Sequence, residues 1–389
     1  MIAIIAPYSP PSRLTAANLG ASRKLETIIL VLSKLDNNLV LVNSAHNETK
    51  AATFTIQQVT IAGIELTEIT PPTYPNRALG KLKNLFCIDQ VLNELKKIGH
   101  PQFIWLYNGY AFEMLFALKA KNTLNVPMIL EFEDWHFSRG RGFNPKPYLD
   151  YCFWRLAFGT IAGAFVVNNL LANKMHGLSK PVELLPGIVP QVLADIASDY
   201  PPFKTPIDTI NVGFFSGLNP EKGADIVLQL AHKLPEGYVL HVTGSGAMGN
   251  DFEEATKALQ GRLCYYGRVD DTTLYQIISK CDVMLNPHAS IEHMNNGVFP
   301  FKVIEAVASG RLLISTPVLT EGLVDVLAGV QFVNHSVEDF LAAILECQQR
   351  YTNNSTLIAE GAVVANYKFG EQALLDKITF MTNIQRQPD

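Results

Sequence analysis

The sequence contains no Cys-x-x-Cys, no Asp-x-Asp, no run of about 18 uninterrupted apolar residues and no surplus of basic residues, and each absence removes a class of protein. The five cysteines, Cys87, Cys152, Cys264, Cys281 and Cys347, are scattered without paired spacing. That excludes a disulfide framework and reads as reduced, core-filling thiols. With no Asp-x-Asp and no His/Cys cluster at ligand spacing, a metal-bridged diphosphate is not expected and no cofactor is implied. The longest apolar stretch, around Leu25 to Leu35, is interrupted by Ser33 and Lys34, so no membrane span is expected. Met1-Ile2-Ala3-Ile4-Ile5-Ala6-Pro7 lacks a charged leader region and reads as a first strand, which gives the expectation of a cytoplasmic protein. A net charge of −5 and a pI near 6.0 argue against a nucleic-acid partner. Any anionic ligand must therefore be met by local cations.

What is present is ample core-forming material: 48% hydrophobic and 17% charged residues over 389 positions, enough for two or three domains. Short apolar runs alternate with helical patterns, the mark of parallel sheets built from strand-helix-strand units. Strands are expected at Ile2 to Ala6, Leu39 to Asn43, Phe103 to Tyr107, Met128 to Phe132, Ala164 to Asn168 and Val182 to Leu185, with a hairpin in Phe54 to Ile69. The prolines of Asp199 to Pro206 mark a linker. The pattern then restarts with strands at Thr209 to Phe214, Tyr238 to Thr243, Leu263 to Tyr266, Val283 to Asn286 and Leu312 to Ser315. The expected fold class is α/β, with two doubly wound Rossmann-like domains facing an interdomain cleft. The first domain is placed at 1–200 and the second at 207–370. A C-terminal helix in 371–389 would pack back on the first domain.

Several constellations could carry chemistry. Phe299 to Gly310 reads as a helix with Pro300 at its start, Val303, Ile304 and Val307 on one buried face and Gly310 as its left-handed exit. Lys302 and Glu305 share one side of that helix, where an ammonium can meet phosphate and a carboxylate can accept hydrogen bonds from a ribose diol. A solvated ion pair is the alternative reading of the same two residues. Ser216-Gly217-Leu218-Asn219-Pro220-Glu221-Lys222-Gly223 follows a strand and offers backbone and Lys222 to an anion, or is an ordinary loop. Gly244-Ser245-Gly246-Ala247-Met248-Gly249 matches G-x-G-x-x-G, but the next strand ends at Tyr266-Gly267-Arg268 with no acidic residue for a ribose, which speaks against a dinucleotide site.

In the first half, Leu130-Glu131-Phe132-Glu133-Asp134-Trp135-His136 runs from a strand into acidic residues, so Glu133 and Asp134 are expected to line a cleft. Beyond them Arg139, Arg141 and Lys146 could meet an acceptor phosphate. The segment Arg77 to Lys97 reads either as a solvated helix face or as a basic amphipathic helix on anionic lipid at the inner face of the membrane.

The ordered set formed by Ser216 to Gly223, Val242 to Gly246, Tyr266-Gly267-Arg268-Val269, Cys281 to Pro287 and Phe299 to Gly310 resembles the donor-binding half of the family 4 retaining glycosyltransferases, which have the GT-B fold. Loops carrying Pro287, His288, Glu292 and Phe299-Pro300-Phe301-Lys302 are similar to a bacterial surface-polysaccharide branch of that family. The resemblance implies that Glu305 holds the ribose, that Lys222 and the helix start at Lys302 meet the diphosphate, and that Arg268 and Val269 border the base. Gly217, Gly244 and Phe301 would line the donor, with Gly20 approaching from the other domain. Two departures stand out. Gly297 occupies the place of a second family carboxylate, and Gly217 that of an arginine. Glu292 or His293 could replace the first, and Arg23 or Arg268 the second. Glu133 stands where the family often has a histidine.

The implied function is a retaining hexosyltransferase-type enzyme that moves a sugar from a nucleoside diphosphate sugar to an acceptor hydroxyl, in cell-surface polysaccharide or glycolipid synthesis. Lys222 and Lys302 would stabilise the leaving phosphate, and Asp134 or Glu133 would orient hydroxyls. The partners would be a nucleotide-sugar donor and a saccharide or lipid-linked acceptor. A GT-B sugar-nucleotide epimerase and a non-catalytic nucleotide-sugar-binding relative are the alternatives.

Overall fold

The structure is a computed structural model that describes residues 1–10, 19–45, 53–72, 83–138, 145–175, 177, 179–204, 209–289, 300–318, 320 and 323–384. Its backbone divides into two compact units, Met1–Leu185 with Leu374–Asp389, and Pro186–Asn295 with Phe299–Ala373.

The first unit is built on strands β1 (Ile2–Ala6), β2 (Leu39–Asn43), β3 (Thr55–Ile61), β4 (Ile64–Thr70), β5 (Ile104–Tyr107), β6 (Met128–Phe132), β7 (Gly163–Val166) and β8 (Val182–Leu184). They form one sheet in the order β3-β4-β2-β1-β5-β6-β7-β8. Strands β1, β2, β5, β6 and β7 are buried along most or all of their length, as expected of parallel strands covered on both faces. The expected hairpin is β3 and β4, paired antiparallel through Ala62 and Gly63, both at positive φ, as a tight two-residue turn demands. Helices α1 (Leu19–Ser33), α2 (Ile88–Ile98), α3 (Ala111–Leu124), α4 (Lys146–Ala157) and α5 (Asn169–Lys174) connect the strands. In α2 the apolar stripe Ile88, Val91, Leu92 and Leu95 is buried in the protein, so this part of the Arg77 to Lys97 segment has no apolar face left for lipid. Among the described residues no helix is long and apolar enough to cross a membrane.

The second unit carries β9 (Ile210–Phe215), β10 (Tyr238–Thr243), β11 (Leu263–Tyr265), β12 (Val283–Asn286), β13 (Leu312–Ser315) and β14 (Val330–Phe332). All pair in parallel, in the order β11-β10-β9-β12-β13-β14. The strand order reverses between β9 and β12, and in a doubly wound sheet the crevice outside the carboxyl ends at that point is where ligands bind. The helices are α6 (Gln191–Asp199), α7 (Ala224–Lys233), α8 (Gly249–Ala258), α9 (Asp271–Ile278), α10 (Lys302–Ala308), α11 (Val337–Leu345) and the long α12 (Cys347–Phe369). Val212, Phe214, Leu240, Val242, Leu285 and Ile314 from the sheet meet Val227, Leu230, Phe252 and Phe340 from the helices in one core.

The division between the units lies before the proline-rich stretch that reads as a linker in the sequence. Helix α6 packs on α9, α10 and α12, with Leu193 and Ile196 buried. After it, Phe203 is itself buried, packs its ring at a tilt against Tyr351 with the centroids 5.0 Å apart, and donates its N–H to Asp282 Oδ1 at 2.6 Å. The prolines therefore belong to a strap anchored on the second unit, because an aromatic anchor and a buried carboxylate hold it there. The last helix, α13 (Glu371–Ile384), brings Leu374, Ile378 and Met381 into the core of the first unit, where Lys377 Nζ donates to the Leu184 carbonyl at 3.1 Å. Of the cysteines, Cys281 and Cys347 are buried, but Cys152 is exposed; all five are free thiols.

Candidate functional site

The loops that follow β9 and β12 flank the reversal point of the second sheet, and they hold the residues on which the sequence reading centred. After β9 the chain turns through the short 3-10 helix Pro220–Lys222 into Gly223, whose φ of +77° starts α7. A Cβ on Gly223 would stand 1.9 Å from the Pro287 carbonyl oxygen, so only glycine lets the two loops meet. Ala289 N donates to Glu221 O at 3.0 Å and locks the same contact. After β12, fully buried Asn286 donates to Ser315 Oγ at 2.8 Å, and Thr316 Oγ1 donates to the His288 carbonyl at 2.8 Å. The ends of β12 and β13 are thus fastened together beneath His288.

Two ammonium groups converge here. Lys222 Nζ lies 3.0 Å from His288 Nε2, and Lys302 Nζ donates to Ser216 Oγ at 2.9 Å and sits 5.3 Å over the Phe214 ring. The Lys302 side chain keeps some exposed surface, yet its ammonium is enclosed by protein. Burial, reinforced by the Lys222 charge and only partly opposed by Glu305, pulls its pKa down to about 7. His288, for the same reasons of burial and neighbouring lysines, is pushed down to about 4 and stays neutral at ordinary pH. The two ammonium groups stand close enough to act on each other, and an anion placed beside them would favour the charged form of Lys302 against its burial.

The helix start contributes less than its sequence suggests. Helix α10 has only seven residues, and its first amides already donate backwards, Val303 N to Pro300 O at 3.0 Å and Ile304 N to Phe301 O at 2.9 Å. With the Val303 and Ile304 amides already used, the side-chain ammonium groups of Lys222 and Lys302 are the main feature this edge offers an anion. Gly310 does end the helix at a φ of +69°. Lys302 reaches across to Ser216 while Glu305, in the first turn, still raises its pKa, so the pair is more than a solvated decoration.

The glycine motif after β10 also has a local explanation. Gly244 has a φ of +130°, and a Cβ there would stand 1.8 Å from the Ser216 carbonyl; one on Gly246 would stand 2.5 Å from that of Leu218. Leu218 N donates to Ser245 O at 3.0 Å and Met248 N to Leu218 O at 3.0 Å. These glycines let one loop lie against another. A Cβ on Gly217 would make only ordinary contacts, the nearest atom being Asn219 Nδ2 at 3.7 Å. Arg268, exposed, and Val269 follow β11 after Gly267, whose carbonyl accepts from Gly244 N at 2.8 Å. Phe301 lays its ring on the backbone of Gly187, where a Cβ would meet it at 1.8 Å, so its role in the structure is packing.

In the first unit, Gly20 is exposed in the first turn of α1, and a methyl group added there would meet nothing within 4 Å. Glu133 does not stand open: it shares Lys24 with Glu131, at 2.6 Å and 2.7 Å, and accepts from the Tyr107 hydroxyl. Burial works against the Lys24 charge, but the two carboxylates outweigh it and raise its pKa. Two carboxylates on one lysine leave a negative charge in excess, and burial pushes the enclosed Glu131 up to about 6 despite Lys24. Asp134 lies next to this network, its carbonyl 3.3 Å from His136 Nδ1, while His136 Nε2 is 3.5 Å from Asp150 Oδ2. Lys146 is committed to Asp150 and to the Tyr110 ring, which its ammonium overlies at 4.7 Å. Arg139, Arg141, Glu292, His293 and Gly297 lie outside the described residues.

Sequence reading missed Lys24, Tyr107 and the pairing of His288 with Lys222. Only the last had a signal, since His288 follows directly on a strand end at the ligand-binding edge of the sheet.

Residues 209–350 match the family model described as Glycosyl transferases group 1. No curated protein sequence matches the chain. Among solved structures, sucrose-phosphate synthase from Thermosynechococcus elongatus is similar with a TM-score of 0.66 and 14% identity, over 99% of this chain and 98% of the other. Anabaena HepE in complex with UDP is similar at 0.65 and 13%, over 98% and 99%. The lipopolysaccharide outer core galactosyltransferase WaaB is similar at 0.62 and 13%, over 99% of both chains. The fold is thus the two-domain GT-B arrangement of Rossmann-like units.

Proposed function

We propose that this protein is a glycosyltransferase that moves a sugar from a nucleoside diphosphate sugar to an acceptor hydroxyl, with retention at the anomeric carbon and without a metal. The observation that carries the reading is the pair of ammonium groups, Lys222 and buried Lys302, at the strand-order reversal of a domain that matches the group 1 glycosyl transferases. Cations fixed in a partly dry site stabilise the charge that grows on a departing diphosphate without reorganising during the reaction. Glu305 on the same helix is the acceptor for ribose hydroxyls. That HepE is solved with UDP supports a nucleotide at this site. Asp134 and Glu133 would orient hydroxyls on the acceptor side; Glu133, held by Lys24 and Tyr107, suits a fixed hydrogen-bond acceptor better than a mobile base. A role in cell-surface polysaccharide or glycolipid synthesis is the biological setting proposed.

A thermal-shift panel of UDP, GDP, ADP, TDP and their sugars tests the reading, because a ligand that binds only the folded state raises Tm as its concentration exceeds its Kd. One base class is expected to win clearly, and no shift with any of them would sink the donor site. Glu305→Ala is expected to weaken donor binding by roughly 10-fold, the loss of hydrogen bonds to a charged acceptor. Lys222→Ala is expected to lower turnover by roughly 100-fold while changing sugar-nucleotide affinity less, since the charge it meets develops on leaving. Steady-state kinetics in the presence of EDTA separates both from a metal effect: the parent rate is expected to be unchanged.

A further inference from the structure

We propose that His288 is a positioning residue for Lys222: a neutral imidazole in the Nδ1–H form whose Nε2 accepts from the Lys222 ammonium and holds it toward the diphosphate. The tautomer follows from the partners. Nδ1 lies 3.0 Å from the Ala289 carbonyl oxygen, which can only accept, so Nδ1 carries the hydrogen. Nε2 lies 3.0 Å from Lys222 Nζ, which as an ammonium can only donate, so Nε2 presents its lone pair. The opposite tautomer could form neither contact, and imidazolium could not accept from the lysine.

The ring is not free to choose otherwise. His288 is 9% exposed, its carbonyl is held by Thr316 Oγ1, and the next residue is tied to Glu221 in the turn that carries Lys222. The charged groups that act on it are Lys222 and Lys302, which disfavour protonation, and Glu221, which favours it; burial and the lysines prevail. A flexible lysine stem is thereby given one direction. A lysine fixed before the ligand arrives loses less rotamer freedom on binding, which is how an acceptor that never touches the substrate improves its affinity.

This inference rests on the donor-site reading, and the experiment separates the two. The affinity of the full chain is measured for whichever of UDP, GDP, ADP and TDP stabilises it most. His288→Ala is expected to weaken that affinity by roughly 10-fold, and His288→Gln, whose amide oxygen restores an acceptor near the Nε2 position, to recover most of it. In a Lys222→Ala background, His288→Ala is expected to cause no further loss, because its effect passes through the lysine. Ring 15N NMR of the parent, assigned with His288→Gln, is expected to report the Nδ1–H form at pH 6. Additive losses in the double variant, or an Nε2–H ring, would overturn the role of His288 while leaving the donor site standing. A parent that binds none of the four diphosphates would overturn the donor site and the positioning role together.

Discussion

Lys302→Met is expected to raise the Tm of the protein at pH 6 and, in the same variant, to remove the stabilisation given by a nucleoside diphosphate. The two effects have one cause. In the folded protein the Lys302 ammonium is disfavoured, its pKa falling from the ordinary 10.5 to about 7. Between those values the unfolded chain holds a proton that the folded one lacks, so stability rises with pH across that window. Below about pH 7 both states are protonated and the folded protein bears the full cost of the buried charge, at most about 5 kcal/mol for a shift of this size. Methionine fills similar space without the charge. Its advantage should be greatest at pH 6 and fade towards pH 10.5, and a gain that does not depend on pH would refute the assignment. Bound diphosphate reverses the balance, because an anion between Lys222 and Lys302 favours the ammonium. Nucleotide affinity of the parent is therefore expected to fall as pH rises above about 7, with proton uptake on binding measurable by calorimetry in buffers of different ionisation enthalpy. In Lys302→Met both the affinity and its pH dependence should collapse, and turnover should fall by roughly 1,000-fold, as for loss of a principal transition-state cation.

Gly223→Ala is the second large effect. A methyl here meets Pro287 backbone at 1.9 Å to the oxygen and 2.6 Å to the carbon, and it does so at a φ of +77°. Neither the backbone of Pro287 nor the turn can move without the other, since Ala289 and Glu221 tie them together. The left-handed conformation alone costs about 1 kcal/mol, and forced displacement of a packed loop brings the total to about 3 kcal/mol. Gly237→Ala is the control, with a φ of +86° but nothing within 4 Å of the added carbon. It should lose only the conformational part. Urea unfolding of the two variants thus separates strain from collision, and only Gly223→Ala should also lose nucleotide binding by displacing Lys222.

Much of the fold could be read in the sequence because parallel strands buried on both faces announce themselves as short apolar runs. Ile2 to Ala6, Leu39 to Asn43 and Val283 to Asn286 occur as expected. What escaped was set by tertiary contacts. Strand β14 is only three residues long and lies at the sheet edge, and α12 has polar residues over much of its length, so neither has a strong periodic pattern. The prolines near Pro201 look like a linker until Phe203 is seen to be buried against Tyr351. At the site, Lys222 was legible because its loop follows a strand end, and Lys302 because it shares one side of a short helix with Glu305. The depressed pKa of Lys302 was not, since it depends on enclosure by Ser216 and Phe214, which come from a different part of the chain. The glycine roles are of the same kind: the sequence speaks against a dinucleotide site at Gly244 and Gly246, but that the backbone of Ser216 and Leu218 leaves no room for a side chain there is seen only in the fold.

The return of α13 sets an order in which the protein can be made. Among the described residues the first unit runs through Leu185 and resumes at Leu374, so Leu374, Ile378 and Met381 reach its core after every residue of the second unit has been synthesised. On the ribosome, the domain whose strands emerge first is therefore the one that finishes last. Until then Gly163 and the carbonyl of Leu184 lack the cover that Met381 and Lys377 later give them. A nascent chain arrested beyond Ala373 should hold a closed second unit beside an open first one.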